Sequence, residues 1–549
     1  MPSIVIDRKV FEQLAGKKLP TETMKDRISY LGTDLDSVDD NEINVEVFPN
    51  RPDMLSVQGF ARAFSSFIGV KVGLRKYDVK DSHESVIIDK SVQKVRPYTA
   101  CAIVKGIRYD DDKIKEVVQI QEKLHVTYGR NRRKIAIGIY PFEKIKPPIR
   151  FLAKKPEDIR FQPLEFSREI NGSQILSQHP TGREYAHLLA NADVYPIFID
   201  SNDQILSMPP IINSHTTGKI SEQTRDVFVE CSGFDFHVLQ KCINMIVTAM
   251  ADMGGQIYSM TLKYPDKTVV TPNLEPSEMD FDLKYINKIL GTNITDAQSK
   301  ELLERMGYGY MKKKVLVPAY RADILHQVDL AEDVAIAYGY ENFESMIPNV
   351  ATIAQEQPME VFKSKITDVL VGLGLLETTT FNLTKKECQS ILMNTRIPLV
   401  ELANSISQEY SVLRAWVIPS LMELLGQNRH NEYPQNIFCF GTIFKKNEKE
   451  ETGIEENERL AVVLCSDSTD YTQIKQVADY LLRCLDIKYS IADAEHDSFI
   501  PGRVGRIIVN GSKVGYLGEM HPQVLANWSL EMPVAALEIN ITELMLRKE

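Results

Sequence analysis

The alternation of apolar and polar positions, with its switches from a period of two to one of three to four, divides the chain into short strands and helices. "SIVID" (3–7) alternates as a strand, and Asp7 is placed to cap the helix that follows. Asn50-Arg51-Pro52-Asp53 forms a turn signal, and Ser56 caps a helix whose apolar face runs through Phe60, Ala63 and Phe67. From 79 to 268 strands such as "KIAIGIY" and "DVFVEC" mix with helices, the last from about 236 to 253 and closed by Gly254-Gly255. From 269 to 347 a helix ends at Gly291, and a second carries the capping box Thr295-x-x-Gln298 and stops at Gly307. The strand "KVLVPAY" and a third helix complete a small module, winged-helix-like in outline. From 348 to 549 the strands "TTTFNL", "NIFCFGTIF" and "LAVVLC", a helix near 470–486 and a hairpin turned at Asn510-Gly511 predict a large, mostly antiparallel sheet with flanking helices. The fold class expected is therefore α+β and multidomain, divided at 1–78, 79–268, 269–347 and 348–549.

Composition narrows the function classes. The 549 residues give length for about three to five domains, and 43% hydrophobic residues suffice for a core in each. No run approaches the ~18 apolar residues of a membrane span, and "MPSIVIDRK" lacks the apolar core of a signal peptide, so a cytoplasmic protein with no membrane association is expected. Seven scattered cysteines without a C-x-x-C pair fit core positions in a reducing compartment. A net charge of −11 excludes an indiscriminate polyanion binder and leaves nucleic-acid contact to local basic patches.

Three segments carry candidate chemistry. "VPAYRADILHQVDLAEDVAIAYGY" (317–340) sets four carboxylates among apolar residues. With a helix starting near Leu330, Asp329 is the N-cap and Glu332 the third position, and Asp329, Glu332 and Asp333 share the first turn, where negative charge complements the helix dipole. Asp323 lies six residues before Asp329; folded back, it would join the others as hard oxygen ligands of a Mg2+-type site, so capping and ligation both stand. Arg130, Arg132, Arg133 and Lys134 form the densest basic cluster, held by the strand that follows at a sheet edge. "LSMPPIINSHTTGKISEQTRDVFVECSGFD" (206–235) supplies small polar groups with no order of nucleophile, base and orienter. No phosphate-binding glycine loop, dinucleotide fingerprint, H-E-x-x-H or G-x-S-x-G motif is present, so no recognised device for ATP chemistry is encoded.

In order along the chain come "VFPNRPDMLSVQGFARA" (47–63), "AIGIYPFEKIKPP" (136–148), "HPTGREYAHLL" (179–189), "SMPPIINS" (207–214), "YRADILHQVDLAEDVAIAYGY" (320–340), "EYSVLRAWVIPSLMELLGQNRHNEYPQNIF" (409–438), "IPGRVGRI" (500–507) and "GYLGEMHPQVL" (515–525). This succession resembles the phenylalanyl-tRNA synthetase beta-subunit family, in its shorter archaeal and eukaryotic-like type. It departs from the family pattern at Thr181, a position often lysine, and at Ser405, usually proline. The resemblance implies an N-terminal module at 1–78, an editing domain of mixed α/β fold at 79–268, the small module at 269–347, and a class II synthetase-like domain without catalytic motifs at 348–549. Arg414, Arg503 and Arg506 there lack the sequence contexts of a working class II site. Activation of phenylalanine would therefore belong to an alpha subunit, scaffolded in a heterotetramer of two alpha and two beta chains that binds tRNA(Phe). The same resemblance favours Mg2+ at Asp323, Asp329, Glu332 and Asp333. It places a pocket that hydrolyses mischarged tyrosyl-tRNA(Phe) at Ser207, Asn213, Ser214, Thr217, Asp226 and Glu230, with Arg130 and Arg133 near the tRNA end.

Overall fold

Asp7 and Ser56 act as the sequence predicts: the Val10 N–H donates to Asp7 at 2.8 Å and the Gly59 N–H to Ser56 at 2.9 Å, starting helices Arg8–Ala15 and Val57–Phe67. The two helices meet through Phe11, Phe60 and Phe64, with ring centroids 5.1 Å apart for Phe11 and Phe64. The second is buried nearly all round, Arg62 included. In the computed structural model, which describes residues 2–546, the chain forms two compact units, Met1–Ile347 and Pro348–Glu549.

In the first unit the three expected modules keep separate sheets but share one core, which runs from Ile4 to Ala337. Strand Glu42–Glu46 is central to a three-stranded antiparallel sheet with Ser3–Asp7 and Asp34–Val38. A ten-stranded mixed sheet follows. Strand Val227–Gly233 lies in it between Tyr98–Lys105 and the edge strand Ile135–Pro141, and at the far end Ile205–Met208 pairs Ile212–Asn213. Helix Phe236–Asp252 buries its apolar side against this sheet. The last segment of the unit holds a three-stranded sheet, Ser277–Asp280, Lys314–Val317 and Gly309–Met311, where only one strand was expected. The other two are three and four residues long, too short to show a period.

The second unit is a seven-stranded sheet, antiparallel except where Leu376–Glu377 joins Gln435–Lys446. Helices Pro358–Gly372, Tyr471–Cys484 and Ile541–Leu546 cover one face, and Ile418–Asn428 packs on the other. The Asn510-Gly511 turn forms with both residues at positive φ, 48° and 77°. "TTTFNL" is not one strand: pairing in the large sheet stops at Glu377, the Thr378 hydroxyl donates to the Phe438 carbonyl and the Thr380 hydroxyl accepts from Arg414, and only Leu383 pairs again, in the two-residue strand Leu383–Thr384 of a separate small sheet. Among the described residues no helix is long and apolar enough to cross a membrane.

Candidate functional site

The ten-stranded sheet curls until its two ends meet. Tyr140, on the edge strand, places its hydroxyl 2.8 Å from Ser207 Oγ, 3.1 Å from Glu230 Oε1 and 3.4 Å from Asn213 Oδ1. Arg132 closes the same gap by donating to the Ile211 carbonyl at 2.8 Å, with its guanidinium stacked over Tyr185. The register explains the cluster, because Glu230 stands directly opposite Gly138 and Phe228 opposite Tyr140. A Cβ at Gly138 would lie 2.1 Å from the Tyr140 hydroxyl and 2.6 Å from Glu230 Oε1, so only glycine leaves room there.

Arg132, Ser207, Asn213 and Glu230 form part of the wall of a cavity of about 400 Å³, and Tyr140 ties the last three together from outside the lining. Glu230 is buried, and that burial pushes its carboxyl up to about 8 against the opposing pull of Tyr140 and Arg96. At neutral pH it is mostly protonated and can donate as well as accept. Its Oε2 has no protein partner. Arg96, buried beneath it, donates to Ser232 Oγ at 3.0 Å and to the Ser232 carbonyl at 2.5 Å, and burial lowers the guanidinium to about 10. Two histidines complete the wall. His125 accepts the Ile137 N–H on Nε2 at 2.8 Å, which places its proton on Nδ1 toward Glu122, and burial keeps the ring neutral. Together with Gln121, which donates to the Ile137 carbonyl at 2.7 Å, it covers the open sheet edge. His179 lies 3.0 Å from the Leu164 carbonyl through Nε2, so that nitrogen carries the proton and the buried Nδ1 is an acceptor without a partner.

The pocket residues expected from sequence divide. Ser207, Asn213 and Glu230 line the cavity. Ser214, Thr217 and Asp226 do not: Ser214 pairs with Pro163 through the backbone, Thr217 turns its hydroxyl toward the Leu206 carbonyl at 3.5 Å, and Asp226 accepts from Gly106 N at 3.0 Å. Arg130 and Arg133 are exposed and outside the wall, while Arg132 between them enters it. The reason is local: residues 130–132 all take positive φ, and this turn sends neighbouring side chains to different sides. Tyr140, Arg96, Gly138 and His179 were not anticipated. Glycine inside an alternating strand was their one visible signal.

The four carboxylates of 323–333 do not converge on a common point. Arg321, itself buried, holds Asp323 bidentately at 2.8 and 2.6 Å and Asp333 at 2.7 Å, and Tyr308 donates to Asp333. Burial alone would raise Asp323, but Arg321 outweighs it and holds the carboxyl below its ordinary range. The helix starts at Gln327, with His326 rather than Asp329 as N-cap; Asp329 is its third residue and accepts from the Leu325 and His326 N–H groups at 2.7 and 2.8 Å. Glu332 accepts from the Tyr340 hydroxyl at 2.9 Å. Among the described residues no group of three or more His, Cys, Asp or Glu is placed to hold a metal ion. As arranged, these carboxylates do not fit Mg2+.

Known proteins agree with this architecture. Residues 343–541 match the model of the phenylalanyl tRNA synthetase beta chain CLM domain, and 279–340 match the tRNA synthetase B5 domain. The chain is 43% identical to the phenylalanine--tRNA ligase beta subunits of Pyrococcus horikoshii and Pyrococcus abyssi, each comparison covering 98% of this chain and 99% of the relative. An N-terminal fragment of the phenylalanyl-tRNA synthetase beta subunit from Pyrococcus horikoshii superposes with a TM-score of 0.59 at 39% identity, covering 61% of this chain and 99% of that fragment. On full-length similarity and both domain matches, the chain belongs to the phenylalanine--tRNA ligase beta-subunit family.

Proposed function

We propose that this chain scaffolds a catalytic alpha subunit in a heterotetramer of two alpha and two beta chains that charges tRNA(Phe), and that its first unit hydrolyses tyrosyl-tRNA(Phe) formed in error. The relatives' description as beta subunits of a ligase supports the first part. The second rests on one observation above all, the Ser207, Asn213 and Glu230 side chains that Tyr140 gathers at the cavity wall. A pocket shaped for phenylalanine rejects tyrosine poorly, because the extra hydroxyl costs little there, and discrimination saturates near ~10²-fold. A second site that rewards the hydroxyl supplies what is missing.

In this reading the phenol meets the unpartnered Glu230 Oε2 and Asn213. A phenylalanyl ester brings no such group and leaves Glu230 Oε2 buried and unpaired, a penalty of about 1–3 kcal/mol. Water adds to the ester carbonyl, the bond to the terminal ribose oxygen breaks, and that oxygen takes a proton, releasing tyrosine and uncharged tRNA. His179, a residue of the wall whose buried Nδ1 has no protein partner, is suited to hold the water. No step passes through a metal.

The test is deacylation by the chain copurified with its alpha subunit. Loss of tyrosine from tyrosyl-tRNA(Phe) well above the rate for phenylalanyl-tRNA(Phe), with Asn213→Ala and Glu230→Ala reducing the difference by at least ~10-fold, is the expected outcome. Equal, slow decay of both esters would leave a scaffold and tRNA-binding subunit only.

A further inference from the structure

Two turns of the same make, Arg51-Pro52-Asp53 and Arg321-Ala322-Asp323, lie far apart in the chain and meet in the first unit. In each the arginine holds the aspartate two positions on through Nε and Nη2, at 2.9 and 2.9 Å in the first turn and 2.8 and 2.6 Å in the second. Nη1 stands outside that fork, and in Arg321 it is buried and has no partner. Arg62, in helix Val57–Phe67, has the same surplus. Its Nη1 donates to Asp252 and to the Tyr77 hydroxyl at 2.8 Å each, its guanidinium stacks over Tyr320 at 4.0 Å, and its Nη2 is buried and without a partner. The two side chains are 2% and 6% exposed, so bulk water does not satisfy these donors, and a buried donor left unpaired is costly.

Both residues line one small cavity, of about 10 Å³, together with Arg51 and Arg75. Among the described residues Asp53 is the one acid in that lining, and both of its oxygens are engaged by Arg51. Asp252, Asp323 and Asp333, which pair with Arg62 and Arg321, are not part of it. Arg75 is half-buried and donates to the Lys71 carbonyl at 3.0 Å, with no acid beside it. Burial and then the charge of Arg321 oppose the Arg51 cation, which Asp53 and Asp323 nonetheless hold above its ordinary value. Like charges are thus packed side by side around the space.

We propose that this cavity binds one monatomic anion of the chloride class, received by the unpartnered N–H groups of Arg62 and Arg321. The volume is about that of a single water-sized sphere, which excludes sulfate, phosphate and carboxylates, and the four cations exclude a metal ion. Water would accept from the guanidinium groups but would bring two protons of its own to a wall rich in donors. A halide, little larger, brings acceptor capacity alone. Because Arg62 belongs to the first segment and Arg321 to the turn before helix Gln327–Tyr338, the bound anion ties the first segment to the third, and the native state alone holds the site.

Bromide serves to locate the site and chloride to titrate it, with gluconate, too large for the cavity, as the control anion. Crystals of the full chain grown in bromide are expected to show an anomalous peak in the cavity beside Arg62 and Arg321. In calorimetry of the full chain, the Tm of residues 1–347 is expected to rise saturably by ~2 °C or more as potassium chloride replaces potassium gluconate at constant ionic strength, with an apparent Kd between ~5 and ~50 mM. Arg75→Gln removes a lining cation that belongs to no ion pair, and is expected to raise that Kd by ~3-fold or more, read as the difference between the two salts within the variant. A water-sized peak without anomalous signal in the cavity, bromide on the outer surface only, or equal Tm in the two salts would each overturn the proposal.

Discussion

At Gly138 a single methyl group decides whether the cluster in the cavity wall can form. The added Cβ would stand 2.1 Å from the hydroxyl of Tyr140, whose ring is fully buried and stacked on Phe228 at 5.7 Å, so the ring has nowhere to retreat. Gly138→Ala is expected to cost about 1–3 kcal/mol in denaturant unfolding and to abolish selective deacylation, because Tyr140 leaves Ser207, Asn213 and Glu230 together. Glu230 makes a separate prediction. Its folded pKa, about 8, lies above the ordinary carboxylate value, so between pH ~4.5 and ~8 the native state holds a proton that the unfolded chain has released. Stability contributed at this position therefore falls as pH rises through that window and changes no further above it. Glu230→Gln is expected to flatten the decline of Tm between pH 5 and 8, and an unchanged slope would show that Glu230 ionises normally. The sequence exposes the small polar groups of 207–217 because they sit close together in the chain. It hides Tyr140, which reads as one more residue of an alternating strand until the far end of the sheet is folded against it.

Among the elements, those whose start is written in preferred residue types were legible. Asp7, Ser56 and Thr295 with Gln298 all cap as expected. His326 is outside the preferred set, so the residue types signal a start near Leu330 with Asp329 as cap, about three residues later than helix Gln327–Tyr338 begins, and Asp329 is instead the third residue of a capping box. Asp329→Ala is expected to cost about 1 kcal/mol, since the Leu325 and His326 N–H groups lose their acceptor. Arg321 carries more. Its side chain is 2% exposed and compensates Asp323 and Asp333, at 9% and 6%. Arg321→Lys keeps the charge but not the two-pronged geometry, and is expected to destabilise the first unit by a few kcal/mol, approaching the ~3–5 kcal/mol of a broken buried pair. Because Asp323 is held below its ordinary range, the stability from this pair is present above the unfolded carboxylate value and is lost as pH falls through the folded one. With both inner carboxylates engaged by Arg321, the free chain is expected to show the same Tm in chelator and in millimolar Mg2+. A rise of several degrees in Mg2+ would mean that the ion displaces the guanidinium.

Across the whole molecule, the chain divides into two compact units between residues 347 and 348, and around that point residues 344–357 offer neither period nor apolar anchor while the period of two resumes beyond in long strands. The three segments before it were expected as separate modules, and each does have its own sheet. What local pattern cannot express is which apolar faces meet. Phe64 from the first segment, Ile246 from the second and Leu303 and Val334 from the third belong to one core. Further buried ties cross the same borders: Arg62 donates to Asp252 at 2.8 Å and stacks over Tyr320 at 4.0 Å, and Arg305 donates to the Phe67 carbonyl at 3.1 Å. Segments that share a core lose their stabilisation together, since exposing one face of the contact exposes the other. Residues 1–347 are therefore expected to unfold in a single calorimetric transition, with calorimetric and van't Hoff enthalpies equal, whereas 348–549, with its own core on each face of one sheet, supplies a distinct transition in the full chain. Two or more transitions within 1–347 would mean that the segments melt as the separate domains their sequences suggest. The same experiment bears on the cavity: in a cooperative unit Arg321→Lys, remote from Glu230 in sequence, lowers the temperature at which tyrosyl ester hydrolysis is lost by the amount it lowers the Tm of the whole unit.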